Sequence, residues 1–409
     1  MKPLSGRALV FAMALGEIGT LLPTLSFAAL TPLFIGQWHI SNADAGWIAG
    51  ISAFGYMAAV PLLMSLTDRI DARRVFLAGA ALTTLSNLGF AIAASGFWSA
   101  FFWRALSGIG LAGTYMPGLK ILTDRHTGPD KSRSVSFYTA SYAVGVSLSY
   151  LFTGLLTDAF GWRIGIGILA MGALVALLIA LFATQPKAPT PGEGHRLLNF
   201  RPVLANRRAM GYILAYAAHG FELVAVRAWL VAFLGFAALR AGLGGHHSAT
   251  AIAAVFSVIG LPASVLGNEL ALRFGRRRVL IQIMSLSAAL GAGLGFVAGL
   301  PYILVVGLIL IYGVTLTADS GALTSGAVAA ASPEAQGATI AVHSSIGFAA
   351  SFLGPLAVGI ALDAGGGQTA PLAWTMAFLV IALGAALGPL ALWLLGRSGH
   401  DKREAAAPR

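Results

Sequence analysis

Cysteine is absent from this chain of 409 residues, and charged side chains are scarce. Without cysteine, the protein has neither disulfide bonds nor thiolate metal sites. Charged residues make up 10% of the sequence, whereas a soluble domain holds roughly 25%. Acids are the rarer sign, with 15 Asp and Glu against 26 Lys and Arg. This composition excludes an ordinary soluble domain.

Long apolar runs fill the sequence instead, and hydrophobic residues reach 57%. Each run holds about 20 residues or more, which is enough for a helix to cross roughly 30 Å of hydrocarbon. The first run is too long for the apolar core of a secretory signal, so we interpret it as a spanning helix. We therefore predict an all-α membrane protein. The twelve predicted spans are 9–35, 44–66, 75–95, 98–122, 134–158, 162–184, 209–236, 247–271, 279–299, 301–330, 336–362 and 370–395.

A polar stretch at 185–207 divides the twelve spans into six and six. It contains four prolines and several arginines and has no long apolar run. We interpret 1–184 as an N-terminal six-helix bundle and 185–207 as a linker. Residues 208–396 form the predicted C-terminal six-helix bundle, and 397–409 a tail.

Basic residues are concentrated in the loops on one side of the predicted membrane. They cluster at 69–74, in the linker, at 273–278 and in the tail, whereas the opposite loops hold only Arg163 and Arg240. Loops rich in Lys and Arg remain in the cytoplasm. We therefore predict a multi-pass protein of the cell inner (plasma) membrane, with both termini and the linker cytoplasmic. This asymmetry also explains the net charge of +11 without a nucleic-acid partner.

The second half of the sequence repeats the first. Glu17 aligns with Glu222 at an offset of 205 residues, and the same offset aligns Asp158 with Asp363. Agreement between separate segments on one offset indicates an internal repeat. Two matching hydrophobic halves are typical of proteins that carry a solute across a bilayer from a site between the halves.

The loops after the second and eighth predicted helices share an acidic residue followed by a basic cluster. They read SLTDRIDARR at 65–74 and GNELALRFGRRR at 267–278, and the fourth helix reads RALSGIGLAG at 104–113. These segments resemble the signature loop and the fourth-helix motif of the major facilitator superfamily. The resemblance covers essentially the whole chain. It implies two pseudo-symmetric bundles that rock about a central site.

The sequence also departs from the pattern of that superfamily. Met64 and Asp71 stand where the first loop usually has glycine, and Leu272 stands where the second loop usually has an acid. The Gly-Pro motif that drug–proton antiporters carry in the fifth helix is missing there, and a version of it occurs at 354–359 in the eleventh. These departures argue against a typical multidrug exporter.

Charged groups of the two signature loops are the candidate gate residues. Asp68 ends the second helix, where it can pair with basic residues of the loop or of a neighbouring helix. Such a pair would hold the cytoplasmic side shut, and the alternative is that these charges only set the topology. The candidate gating residues are Asp68, Arg69, Arg73 and Arg277.

Acids inside the hydrocarbon are costly and are therefore functional candidates. Glu17 lies about 12 Å along its helix from Leu9, near mid-depth, at 1.5 Å rise per residue. Burial favours the neutral form of a carboxyl group, which lets it load and release a proton near neutral pH. The candidate proton-coupling residues are Glu17, Glu222 and Asp319. For Glu17 and Glu222, permanent pairing with a nearby arginine is the alternative.

Cationic and hydrogen-bonding side chains within the spans are the candidate substrate contacts. In the superfamily that the chain resembles, the fourth-helix arginine is tied to proton transfer or substrate binding, although partnering a buried acid is an equal alternative. Lys120 lies near the cytoplasmic end, where it can also snorkel to the interface. The candidate substrate-binding residues are Arg227, Arg104, His343, His219, Tyr138 and Lys120. Because His343 and Asp319 replace Tyr138 and Thr114 of the first half, the C-terminal half is predicted to carry the chemistry.

No motif indicates an enzyme, a cofactor or a metal site. A nucleophile–base motif is missing, and so is the phosphate-binding sequence G-x-x-x-x-G-K-[ST], which leaves an ion gradient as the energy source. We predict a proton-coupled secondary transporter that works by alternating access on a small solute, for which an organic anion or zwitterion is favoured.

The predicted partners are the solute, protons and the lipid bilayer, and the predicted state is a monomer. A proton-driven exporter of amphipathic or cationic compounds is the alternative. An alternative of another class is a receptor or scaffold that does not transport, although such a protein has no need of buried ionisable groups.

Overall fold

The computed structural model describes residues 4–125, 128–188, 200–243, 246–332 and 335–396, and the regular structure in these ranges is helical. The predicted tail at 397–409 and the middle of the predicted linker lie outside the described residues. The helices are α1 (Gly6–Leu21), α2 (Ser26–Ala29), α3 (Thr31–Trp38), α4 (Asn42–Leu66), α5 (Ala72–Ala93), α6 (Phe97–Thr123), α7 (Gly128–Phe160), α8 (Trp162–Ala183), α9 (Arg201–Ala205), α10 (Arg207–Arg240), α11 (His246–Phe274), α12 (Arg276–Leu294), α13 (Tyr302–Ala318), α14 (Ser320–Ala330), α15 (Gln336–Ala364) and α16 (Pro371–Leu395).

The twelve predicted spans correspond to these helices, with the short α9 inside the predicted linker. Among the described residues, nine stretches are long and apolar enough by themselves to cross a membrane. Helices α1, α6 and α12 are not among the nine; α1 has 16 residues, and α12 begins with three arginines. These three helices pack within the two six-helix bundles, so the predicted all-α, twelve-helix architecture is confirmed.

Two predicted spans are not continuous helices. The first, 9–35, ends as a helix at Leu21 and resumes as α2 and α3. Pro23 has no N–H to donate in a helix, and the freed N–H of Leu25 donates to the Ser149 hydroxyl of α7 at 2.9 Å. The tenth, 301–330, breaks at Asp319 between α13 and α14. Irregular backbone at membrane depth is tolerated where other protein groups satisfy it.

Each half packs its own helices side by side and meets the other half mainly along two helix pairs, with smaller contacts of α10 on α2 and α3. In the N-terminal half α5 packs on α6 and α8, and in the C-terminal half α10 packs on α15 and α16. The two halves meet where α4 packs on α15 and α7 packs on α11. This exchange of equivalent helices is what a two-fold repeat predicts.

The halves are closed against each other at the end away from the linker, which we call the distal end. One buried cluster joins Phe34 and Trp162 of the first half to Trp229 and Trp374 of the second. Towards the linker end, contact between the halves reaches the ring pair of Tyr56 and Phe348, whose centroids are 4.4 Å apart. Beyond that pair, the buried clusters of the described residues each belong to one half. The halves therefore enclose a central space that is sealed distally.

Candidate functional site

A cavity of about 390 Å³ lies between the two halves. Both halves contribute polar and aromatic side chains to its wall. Its lining includes Tyr56, Arg104, Tyr142, Tyr216, His219 and Arg227. Its volume falls in the range of small-molecule sites, about 300–1,000 Å³.

The charged groups in the cavity wall are cationic. Arg104 and Arg227 line the cavity from opposite halves, with His219 beside them, and no Asp or Glu belongs to the described lining. The break after α1 exposes the carbonyl of Thr24, which accepts from Arg104 Nη2 at 2.8 Å. Arg104 is buried, yet its Nε and Nη1 have no acceptor among the described residues. The cavity therefore holds unsatisfied N–H donors of positive charge.

Arg227 is held through its backbone by a tyrosine of the opposite half. Its backbone carbonyl accepts from the Tyr150 hydroxyl of α7, and its side chain lines the cavity together with Tyr142 of the same helix. Its Nε has no acceptor in the described part of the chain. Arg104 is thus anchored through one guanidinium nitrogen and Arg227 through its backbone, and each keeps a guanidinium donor that has no acceptor among the described residues.

Glu17 is sealed inside the N-terminal half and does not line the cavity. Its Oε2 accepts from the Tyr138 hydroxyl at 2.8 Å, and its Oε1 has no donor among the residues described. The Tyr138 ring stacks on Tyr115, which does line the cavity, with centroids 6.1 Å apart. Two aromatic rings therefore stand between Glu17 and the central space.

Glu222 lies at the repeat-equivalent position but meets different partners. Its Oε1 accepts from Ser287 of α12 and from Tyr312 of α13, both at 2.8 Å. The side chain is fully buried within the C-terminal half and does not line the cavity. The structure thus brings neither glutamate into contact with Arg227 or Arg104.

Asp319 and His219 form a buried pair beside the cavity. His219 Nδ1 lies 2.8 Å from Asp319 Oδ1, and both side chains are 2% exposed. Tyr216, one turn before His219, stacks on His343 with centroids 3.9 Å apart. His343 Nε2 lies 3.4 Å from the Thr324 hydroxyl. The structure therefore brings together His219, Asp319 and His343, three of the residues predicted from the sequence.

The remaining candidates lie away from the cavity. Lys120 pairs with Asp124 at 3.4 Å, and Asp124 directly follows the last residue of α6 at the linker end. Tyr138 donates to Glu17, as described above, and does not reach the cavity. Their roles in substrate binding stay predictions, but their described contacts are with the protein itself.

The signature-loop arginines bind the ends of helices within their own half. Arg73 donates through Nη2 to the Leu181 carbonyl of α8 at 2.8 Å, and Arg277 donates through Nε to the Leu392 carbonyl of α16 at 2.9 Å. Asp68 and Arg69 make no side-chain hydrogen bond or ion pair with described residues. The gating role of the four stays a prediction, since a latch between halves would require them to find partners in the opposite half.

Some site residues were missed from the sequence. Tyr216 lies three residues before His219, which lies three before Glu222, and this spacing puts all three near one face of α10. That spacing could have identified Tyr216. Ser287 and Tyr312 had no sequence signal as partners of Glu222, since they come from two other helices.

Two hydrophobic halves, related by a sequence repeat and enclosing a polar cavity, define a membrane transporter with a central site. The family model of the Major Facilitator Superfamily matches residues 8–318. The chain belongs to this superfamily, whose members are transporters rather than enzymes.

Curated relatives and solved structures agree with this assignment. The chain is 26% identical over 216 residues to "Protein spinster homolog 3" of Danio rerio, covering 50% of this chain and 43% of that protein. It is 25% identical over 182 residues to "Putative niacin/nicotinamide transporter NiaP" of Bacillus subtilis (strain 168), covering 44% of each. The chain thus spans less than half the length of these two relatives.

A crystal structure of a bacterial homolog to the human lysosomal transporter spinster, in an inward-facing and occupied conformation, superposes with a TM-score of 0.81. The match covers 96% of this chain and 97% of that one, at 16% identity. At this identity the likeness shows the fold alone.

Proposed function

We propose that this chain is a proton-coupled secondary transporter of a small organic anion or zwitterion. The observation that carries the substrate class is the cationic cavity, in which Arg104 and Arg227 face the central space without an acid in the described lining. A buried donor without an acceptor costs about 1–3 kcal/mol, and more when it is charged. A carboxylate or phosphate would satisfy these donors, and guanidinium groups bind both well.

The same observation weakens the alternative substrate. A cationic compound would enter a wall that offers two guanidinium groups and no described carboxylate, so like charges would meet in a desolvated space. The relative called a niacin/nicotinamide transporter supports a small organic solute. We therefore favour an organic anion over an amphipathic cation.

We propose that the buried acids bind the coupled proton, and Asp319 is the first candidate among them. Asp319 contacts His219, which lines the cavity, whereas Glu17 and Glu222 lie behind the cavity wall. A proton bound to the Asp319–His219 pair changes the charge seen by the substrate directly. Glu17 and Glu222 remain candidates, each acting through tyrosine contacts inside its half.

Alternating access follows from the arrangement of the halves. The cavity is sealed distally, and the loops at the linker end are the basic ones. With that end in the cytoplasm, as basic loops require, the present arrangement faces inward. Transport would then occur across the plasma (inner) membrane as the halves rock about the cavity.

The proposal is tested by a thermal-shift panel on purified protein, in which organic carboxylates are matched with their amides and amines. We expect carboxylates alone to raise the melting temperature, and Arg104→Ala and Arg227→Ala to remove that increase. Arg240→Ala is the control, because Arg240 lies on α10 but is exposed. Stabilisation by amines rather than carboxylates, unaffected by either arginine variant, would refute the substrate class.

A further inference from the structure

An acid at the distal end of one half caps a helix of the other half. Asp363 lies in the last turn of α15, and its Oδ1 accepts from the backbone N–H of Asn42 at 3.0 Å and from Asn42 Nδ2 at 2.7 Å. Its Oδ2 accepts from the backbone N–H of Ala43 at 2.8 Å. Asn42 is the first residue of α4. The Asp363 carboxylate thus caps the N-terminus of a helix that starts 321 residues away in the sequence.

The start of α4 depends on this acid for part of its hydrogen bonding. The first N–H groups of a helix have no acceptor within the helix. The Ser41 side chain accepts from the Asp44 N–H, which satisfies one of them. Asp363 satisfies the two N–H groups between those residues, and its charge also complements the positive end of the helix dipole.

The neighbouring residues allow α15 and α4 to approach closely and add further hydrogen bonds. Gly359, one turn before Asp363, faces α4 so closely that a Cβ there would lie 2.9 Å from the Ala43 Cα. Gln368 Nε2 donates to Asn42 Oδ1 at 2.9 Å. The Trp374 indole in turn donates to the Gln368 carbonyl at 2.8 Å. Asp363, Asn42, Ala43 and Gln368 form what we call the distal latch.

The sequence repeat places a second acid at the equivalent point. The spacing Gly154-x-x-x-Asp158 in α7 matches Gly359-x-x-x-Asp363 in α15. Gly154 lies against α11 as Gly359 lies against α4, since a Cβ at Gly154 would be 2.9 Å from the Thr250 Cβ. The side chains at 246–248, where α11 begins, lie outside the described residues, so the inference is argued for Asp363.

We propose that Asp363 is a gating residue that holds the distal end closed and releases α4 when the cavity opens to that side. Its hydrogen bonds cross between the two halves, so rocking of the halves breaks them without breaking either bundle. The open arrangement leaves the Asn42 and Ala43 N–H groups to water. The latch therefore biases the protein towards the state that is closed distally, whatever the substrate is.

The test uses spin labels in the protein's natural cysteine-free background. One label pair, Trp98→Cys with Leu372→Cys, reports the distal end, and another, Leu66→Cys with Leu272→Cys, reports the linker end; all four side chains are exposed. Double electron–electron resonance then gives distance distributions for both ends. The variants are Asp363→Asn and Asp363→Ala in full-length protein reconstituted in lipid nanodiscs.

We expect both variants to lengthen the distal distance and shorten the linker-end distance, with Ala acting more strongly than Asn. The ratio of distally open to distally closed protein should rise about three- to tenfold, as expected for the loss of an anion at a helix start. Asp44→Asn is the matched control, since Asp44 lies in the same turn of α4 but its carboxylate, among the described residues, accepts from Ser41, which caps the same helix, and not from the opposite half.

Unchanged distances in the Asp363 variants, or an equal shift in Asp44→Asn, would overturn the proposal. If the Asp363 variants do not fold, Asn42→Ala removes one donor of the latch and should give a smaller shift in the same direction. These distances require no substrate, so their outcome is separate from the test of the cationic cavity.

Discussion

At the scale of single residues, the two repeat-related glutamates show how identical positions acquire different surroundings. Glu17 takes one hydrogen bond from Tyr138, whereas Glu222 takes two, from Ser287 and Tyr312. Neither faces the cavity. The acid that touches a cavity residue is Asp319, through His219. The sequence identified all three acids by their depth, but it could not rank them, because their partners come from other helices.

Proton coupling can be assigned by comparing Asp319→Asn with Glu222→Gln in liposomes under an imposed pH gradient. We expect Asp319→Asn to abolish uptake driven by the gradient while exchange of the anion between equal pH values continues. Glu222→Gln should retain more gradient-driven uptake than Asp319→Asn, because the described partners of the Glu222 side chain, Ser287 and Tyr312, do not line the cavity. Normal gradient-driven uptake by Asp319→Asn would exclude the leading assignment.

The Tyr138–Glu17 hydrogen bond is predicted to stabilise the N-terminal half. Tyr138→Phe removes the one described side-chain donor to Glu17, and the loss of a buried partner should cost about 1–3 kcal/mol. Thermal unfolding followed by tryptophan fluorescence measures the change. The double variant Tyr138→Phe/Glu17→Gln is the companion measurement. An additive loss in that variant would show that the two side chains do not interact.

At the scale of helices, the breaks at 22–25 and at Asp319 create functional groups that continuous helices would not offer. The first break supplies the Thr24 carbonyl that anchors Arg104. The second break lies at Asp319, which pairs with His219. The sequence predicted both spans correctly in length and hydrophobicity. It did not predict the breaks. An apolar run indicates that a segment lies in the membrane, but it does not show whether the helix is continuous. Pro23 was the one signal in the sequence for the first break.

Close helix contacts through glycine are predicted to be intolerant of a methyl group. A Cβ at Gly113 of α6 would lie 2.8 Å from the Gly79 Cα of α5. Gly113→Ala should therefore destabilise the protein by about 1–3 kcal/mol, the usual cost of overpacking. Gly167→Ala is the control, because a Cβ there meets nothing within 4 Å and alanine favours the helix by roughly 0.5–1 kcal/mol. Melting temperatures that rise in both variants would contradict the close approach.

At the scale of the whole molecule, the structure joins two bundles tightly at one end around a central cavity. The contacts that close the distal end come from helices of opposite halves, including the Ser147 hydroxyl of α7, which donates to the Ala254 carbonyl of α11 at 2.8 Å. Each half also has a packed interior of its own, so motion between the halves would break contacts across the interface while each bundle stays intact. Rocking of intact bundles is the motion that the proposed transport cycle requires.

A cross-link at the distal end should stop transport reversibly. Ser147→Cys/Ala254→Cys, in the cysteine-free chain, is expected to lose liposome uptake after treatment with a short thiol cross-linker that a reductant can cleave. Uptake should return on reduction, because the halves then separate again. Each single variant treated in the same way controls for modification alone. Full uptake by the cross-linked protein would rule out distal opening as part of the cycle.

The sequence by itself determined the membrane class, the twelve spans, the repeat and the superfamily, because hydrophobic run length, charge asymmetry and repeated motifs are properties of the chain. Only the tertiary structure decided the partners of each buried polar group. Glu222 meets Tyr312 rather than Arg227, and the Arg227 carbonyl meets Tyr150 of the other half. Asp363 crosses to α4 for the same reason. Such pairings depend on how helices rotate and cross, which is set by packing between segments far apart in the sequence.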